Sequence, residues 1–213
     1  MRWKSNLQIT LVILFLATAV SANSQGPKLE RLTAHFQIPG YFRARSALRD
    51  TKALGGFASS ENVPIYLEDG SPYANKGIQL IAITTRPVAF QGKYQGFEVL
   101  LVNGPSAELP LPACDSVLPI IREATDKDGN WKPIEFLASS WCGNSYHNVF
   151  LLPGQYWKFT APTFEGSRDA KMRFKLRLPS SEWIYSNEFS GRINSEQFLQ
   201  RGPVWPTQEN AKD

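Results

Sequence analysis

The chain has 213 residues, with 23 Lys+Arg against 19 Asp+Glu and 42% apolar residues. That is enough apolar material for one core, and the length suits one domain with an arm or a small second unit. The mild positive balance gives no call for a nucleic-acid partner, and two histidines with two cysteines leave little for metal centres or histidine-based catalysis.

Residues 1–22 read as a secretory signal peptide. Arg2 and Lys4 precede a mostly apolar, uncharged run from Leu7 to Val20, and Val20-Ser21-Ala22 offers small residues where a signal peptidase reads. The run is near the lower limit for a bilayer-spanning helix, which takes about 20 apolar residues. Cleavage after Ala22 removes two of the 23 basic residues and no acidic one, leaving 21 against 19, a formal charge of +2. No later apolar run is long enough to span a membrane as a helix. The expected location is therefore periplasmic or secreted.

Residues 23–60 are weakly patterned and read as an N-terminal arm. Pro39-Gly40 breaks the segment. Arg45, Arg49 and Lys52 fall at i, i+4 and i+7, so a short helix would carry a basic face. Such a face is either simply solvated or meets an anionic surface, acidic polysaccharide or lipid headgroups.

From 61 to 200 the signals are strands. "VPIYLEDG" ends in an acidic turn, "GIQLIAITTRP" stops at Pro87, and "GFEVLLVNGP" closes on Asn103-Gly104-Pro105. "LPLPAC" is extended. "VLPIIREATDKDGNWKPIEFLASS" reads as strand, turn, strand, and "YHNVFLLPGQYWKFTAP" as two strands around Pro153-Gly154. The clearest strand is Ala170 to Leu178. Met172, Phe174, Leu176 and Leu178 alternate with Lys171, Arg173, Lys175 and Arg177, a period of two with one apolar and one cationic face. "WIYSNEFSGRI" finishes the set, and residues 201–213 read as a mobile tail.

Short strands at this spacing predict an all-β domain, an antiparallel immunoglobulin-like β-sandwich of about 7–9 strands. The order "LLPGQYWKFTAP", "GSRDAKMRFKLRL", "WIYSNEFSG" is similar to the closing strands of bacterial extracellular immunoglobulin-like modules, over residues 76–193 at most. That resemblance concerns architecture, and such folds host many functions. No functional residue carries over from it.

Cys114 and Cys142 are the two cysteines. In an exported chain an even pair reads as a disulfide, and closing a loop of about 29 residues stabilises by roughly 3.6 kcal/mol in the chain-entropy model. The rival reading makes Cys142 a nucleophile with His147 as its base, but no third orienting group is identifiable. His147 and the distant His35 read as packing or surface residues, and no spacing resembles a zinc site.

"DKDGNW" carries Asp126, Asp128, Asn130 and the later Glu135, all oxygen donors. The glycine and glutamate fall at the wrong positions for an EF-hand, and Asp-Gly between apolar runs predicts a hairpin turn. Trp131, Trp141, Tyr146, Tyr156, Trp157, Trp183 and Tyr185 either fill a core or offer stacking faces for sugar. Lys171, Arg173, Lys175 and Arg177 form either a solvated outer face or a site for an anionic partner. Glu98, Glu135, Glu165 and Glu188 are the carboxylates available to a glycoside hydrolase, which sequence alone cannot pair.

No catalytic, cofactor or metal residue is assigned. The expected function is a non-catalytic binding or structural role outside the cytoplasm. Its expected partner is an extracellular or envelope protein, or a glycan. The alternatives are a small carboxylate-based hydrolase acting on carbohydrate and a subunit of a surface assembly joined by strand addition.

Overall fold

The computed structural model describes residues 29–47, 60–104, 107–137, 145–199 and 201. The described chain is all-β with several antiparallel sheets. A 3-10 turn lies at Ser195–Phe198. No helix among the described residues is long and apolar enough to cross a membrane.

A four-stranded antiparallel sheet is ordered β3-β11-β5-β4. It comprises β3 (Ile65–Tyr66), β4 (Ile78–Phe90), β5 (Tyr94–Asn103) and β11 (Gln155–Pro162). β4 and β5 form a hairpin whose turn places Gln91 (φ 51°) and Gly92 (φ 69°) in the left-handed region, the backbone that tight hairpin turns require. β4 continues to Phe90, past the expected stop at Pro87. It lies at the sheet edge, and its register shifts between Ile83 and Val88. A bulge on an edge strand accommodates a proline that has no N–H to give the ladder.

The second large sheet is built on β13 (Arg168–Arg177), with β7 (Ile120–Thr125) on one side and β14 (Trp183–Tyr185) and β15 (Phe189–Ile193) on the other. β8 (Trp131–Pro133) extends it beyond β7. The alternation read in the sequence appears as burial: Ala170, Met172, Phe174 and Leu176 point inward, and the four cationic residues point outward.

β6 (Leu109–Cys114) and β10 (Tyr146–Leu151) make a separate antiparallel pair, so Pro153-Gly154 links two sheets rather than closing one hairpin. Two short parallel pairs complete the set. β1 (Leu32–Thr33) runs beside β12 (Phe164–Glu165), and β2 (Ile38–Pro39) beside β9 (Glu135–Phe136).

The inner faces of the two large sheets meet in one apolar cluster. Trp157 and Phe159 of β11, Phe97 and Leu101 of β5, and Phe174 and Leu176 of β13 belong to it. Phe42 stands edge-on to both Phe159 and Phe174, at 5.3 Å in each case. The segment read as a loosely patterned arm is thus part of the core over residues 29–47. Leu32, Ala34, Ile38, Phe42 and Ala44 are buried. Ala44 N donates to Ser116 O, Leu118 N to Phe42 O, and the Trp157 indole to Arg45 O. The sequence hid this because the segment contributes two-residue strands separated by bends, which show no period. Arg45 lies in no helix, while Arg49 and Lys52 lie outside the described residues. Of the expected tail, Arg201 bridges to Gln37 and stands 5.3 Å over the Phe136 ring; 202–213 lie outside the described residues.

A second cluster, with Leu32, Ile38, Ile134, Phe164 and Met172, adjoins the first, and a buried charge sits at the junction. Arg122 lies on β7 between Ile120 and Ala124, on the inward parity. Its guanidinium is 4.6 Å from the Phe164 ring, 5.0 Å from Phe174 and 5.5 Å from Phe97. Its Nε stands 3.2 Å from Glu135 Oε1, one Nη donates to Pro162 O and the other to the Tyr41 hydroxyl. The Tyr41 hydroxyl donates to Glu135 Oε1, and the Arg122 amide donates to Oε2. Arg122 and Glu135 are each 1% exposed. Burial pushes the Glu135 carboxyl above its ordinary pKa against the pull of Arg122, and burial also raises the Tyr41 phenol. The buried pair ties β7, β9 and the N-terminal segment together, although Arg122 Nε, close as it is to Glu135 Oε1, makes no hydrogen bond.

Candidate functional site

The outer face of the β13 sheet carries a row of cations among aromatic rings. β13 contributes Lys171, Arg173, Lys175 and Arg177, spaced about 6.6–6.8 Å apart because alternate residues share a face. Cross-strand register brings rings beside them: Tyr185 lies opposite Lys175, and Trp183 opposite Arg177. Trp131 enters from the far side on β8.

The cations and rings interleave. The Arg173 guanidinium stands 4.2 Å from the Trp131 ring and 4.0 Å from Tyr185, so it is held between two aromatic faces. Trp183 lies between Lys175 at 5.1 Å and Arg177 at 6.0 Å. Such contacts are worth about 0.5–1 kcal/mol at exposed sites. They hold the three-residue strands β8 and β14 to the long central one. The rings still meet water, Trp183 being 43% exposed and Tyr185 46%.

Carboxylates balance the row only in part. Glu123, buried on β7, takes both Arg173 at 3.1 Å and Lys175 at 2.5 Å. Lys171 meets Glu188 at 3.3 Å, both exposed. Arg177 is exposed and has no carboxylate within ion-pair distance among the described residues. Four cations thus face two carboxylates, one of them shared.

The other sequence candidates do not converge. Trp157 is core. Tyr146 is exposed on β10, and Trp141 lies outside the described residues. His147, half-buried on β10, has Nδ1 2.9 Å from Ser145 O, and His35 is exposed on the other side of the sequence. No group of three metal-ligating side chains occurs among the described residues.

Cys114 ends β6, half-buried, with its thiol unbridged in this structure and its pKa raised by burial and then by Asp115. Cys142 lies outside the described residues, so the expected pairing and the Cys142–His147 alternative both fall there. The "DKDGNW" segment is the β7–β8 turn. Asp126 Oδ1 accepts the amides of Asp128 and Asn130, and Oδ2 meets Lys132 at 2.8 Å. Those bonds hold the Asp126 carboxyl well below the usual range, and the same partnership raises Lys132.

The four carboxylates weighed for hydrolysis are dispersed. Glu135 is buried against Arg122, Glu165 meets Arg192 and Arg31, and Glu188 meets Lys171. Glu98 alone lines an open groove, of about 540 Å³, on the outer side of the four-stranded sheet. There it shares the walls with Glu68, Asp69, Tyr73 and Tyr156, and it pairs with Lys158 at 3.4 Å.

Sequence reasoning found the cationic row and named Trp131, Trp183 and Tyr185 separately, but missed that they interleave. It also missed Glu123, which "IIREAT" places on the outward parity beside Arg122, and it missed Arg122 and Tyr41. Comparison of the chain with protein-family models, with curated proteins and with solved structures gives no match in any of the three.

Proposed function

We propose that this protein is an exported, non-catalytic binding module whose ligand-facing surface is the outer face of the β13 sheet. In this reading the domain is an immunoglobulin-like β-sandwich working in the periplasm or outside the cell, with Cys114 and Cys142 bridged after export. One observation carries the proposal: four cations lie among three rings, two of these well exposed, against only two carboxylates. A face that served only solubility has no need of exposed indole and phenol rings, which lose free energy in water. The signal-like N-terminus supports the location. The partner is anionic, on an extracellular protein or a glycan.

The test is retention of the mature chain on an immobilised polyanion, for wild type and for Lys171→Gln with Arg177→Gln. Both residues are exposed, so the fold should be unaffected; the Lys171 pair is worth at most about 1 kcal/mol. The reading expects binding that weakens from about 50 to about 200 mM salt and drops about tenfold in the double variant. Equal binding by both proteins would place the site elsewhere.

A second reading has one observation in its favour. The groove holding Glu98, Glu68 and Asp69 beside two tyrosines is where a carboxylate-based hydrolase would work. It requires turnover of a chromogenic glycoside that Glu98→Gln abolishes. Unchanged turnover in that variant, or none in wild type, removes it.

A further inference from the structure

We infer that the ligand of the β13 face is an acidic polysaccharide, a chain of sugars bearing carboxylate groups, laid across Trp183, Tyr185 and Arg177. The inference rests on the binding-face reading above and names the chemistry of its ligand.

Two kinds of group alternate on this face, and a uronic-acid chain presents the two matching kinds. Its carboxylates suit the cations. The C–H faces of its sugar rings suit exposed aromatic surface, which stacks on flat apolar patches. The end of the row is the open part. Arg177 is exposed without a carboxylate partner among the described residues, and its neighbour Trp183 is 43% exposed. Within the row Arg173 is already sandwiched between Trp131 and Tyr185 and bound to Glu123, so it serves as a platform rather than as a free charge.

Other anionic partners fit less well. An acidic peptide added as a strand needs a long free edge, whereas the outer strands here are short, β8 and β14 three residues each and β15 five. An acidic peptide lying across the face would use the cations and leave the rings unused. Nucleic acid calls for many phosphate contacts, while this face offers four cations, three of which already meet a carboxylate. Because much of the charge is internally balanced, sugar stacking must supply part of the binding, and that part is insensitive to salt.

The experiment measures binding of the mature protein to polygalacturonate, to an uncharged polysaccharide of similar length and to poly-glutamate. It uses wild type, Trp183→Ala, Trp183→Phe and Arg177→Ser, with thermal unfolding confirming that each variant is folded. The expected result is polygalacturonate binding at least tenfold tighter than either control. Trp183→Ala should weaken it about tenfold, Trp183→Phe should restore most of it, and Arg177→Ser should weaken it and flatten its salt dependence. Equal binding to poly-glutamate, indifferent to Trp183→Ala, would overturn the sugar assignment while leaving a polyanion face intact. Binding to none of the three polymers would overturn the face itself. Should Trp183→Ala fail to fold, Trp183→Leu, which keeps apolar bulk without a ring, takes its place and should weaken binding as the alanine would.

Discussion

Replacing Glu135 by glutamine should destabilise the fold by about 3–5 kcal/mol, the cost of breaking a buried ion pair from one side. The carboxylate accepts the Tyr41 hydroxyl at 2.8 Å and the Arg122 amide at 3.0 Å, and it stands 3.2 Å from Arg122 Nε. Glutamine keeps the shape and one acceptor but turns the other oxygen into a donor, aimed at groups that are themselves donors. It also leaves the guanidinium charged among three phenylalanine rings without a counter-charge. Set against a total of about 5–15 kcal/mol, this is a large fraction, and for a chain of this size it corresponds to roughly 6–20 °C in Tm. Urea unfolding followed by tryptophan fluorescence measures it. Glu188→Gln, which breaks the exposed pair with Lys171, is the control and should cost no more than about 1 kcal/mol. The pair Arg122→Met with Glu135→Leu should recover part of the loss, since apolar groups of similar volume replace buried pairs well; the residue-122 amide and the Pro162 carbonyl then lose the bonds that the Glu135 carboxylate and the guanidinium gave them. A Glu135→Gln protein within about 1 kcal/mol of wild type would refute the reasoning, because it would mean that Arg122 is solvated in the folded chain.

The β7–β8 turn should be acid-sensitive. Asp126 has a folded-state pKa below its unfolded value of about 3.9, so its contribution is full above that value and is lost as pH falls through the folded pKa. Protection of the Asp128 and Asn130 amides, measured against an unstructured peptide at the same pH, should therefore fall below about pH 4 in wild type and be lost at every pH in Asp126→Ala; a wild-type turn whose protection is indifferent to acid would contradict this. Gly166→Ala should destabilise by about 1–3 kcal/mol as overpacking does, since its Cβ would meet the Ile193 backbone. Gly191→Ala should cost less, because its Cβ would meet the terminal methyl of Met172, at 2.6 Å, which can turn aside; urea midpoints in the reverse order would refute the packing argument. Thiol titration of the exported protein under denaturant should find no free thiol before reduction and two after it, and two free thiols before reduction would remove the proposed bridge.

Much of the sheet structure was legible because strands declare themselves by period two. β13 is the clearest case: eight residues alternate without error, and each lies on the face its type demands. The Asp-Gly turn was legible for the same local reason. The packing of residues 29–47 was not, because Leu32, Ala34, Ile38, Phe42 and Ala44 reach the core from two-residue strands and bends. Strand β4 outran its proline because edge position is a property of the whole sheet, which no local window contains. Half of the candidate site could be read as a cationic row. The rings could not be placed beside it, since Trp131, Trp183 and Tyr185 arrive from strands whose register is set by tertiary pairing. Arg122 had a signal that parity alone supplies: it falls between Ile120 and Ala124, on the face that turns inward.

The most direct test of the account is the tryptophan indole N–H spectrum of the mature protein during titration with polygalacturonate. Trp131 and Trp183 lie on the proposed face, and Trp157 is buried with its indole bonded to Arg45 O. The account predicts that the Trp183 resonance moves most, Trp131 follows and Trp157 stays, with saturation at the affinity measured by binding. Saturable binding that leaves Trp131 and Trp183 unmoved would contradict it.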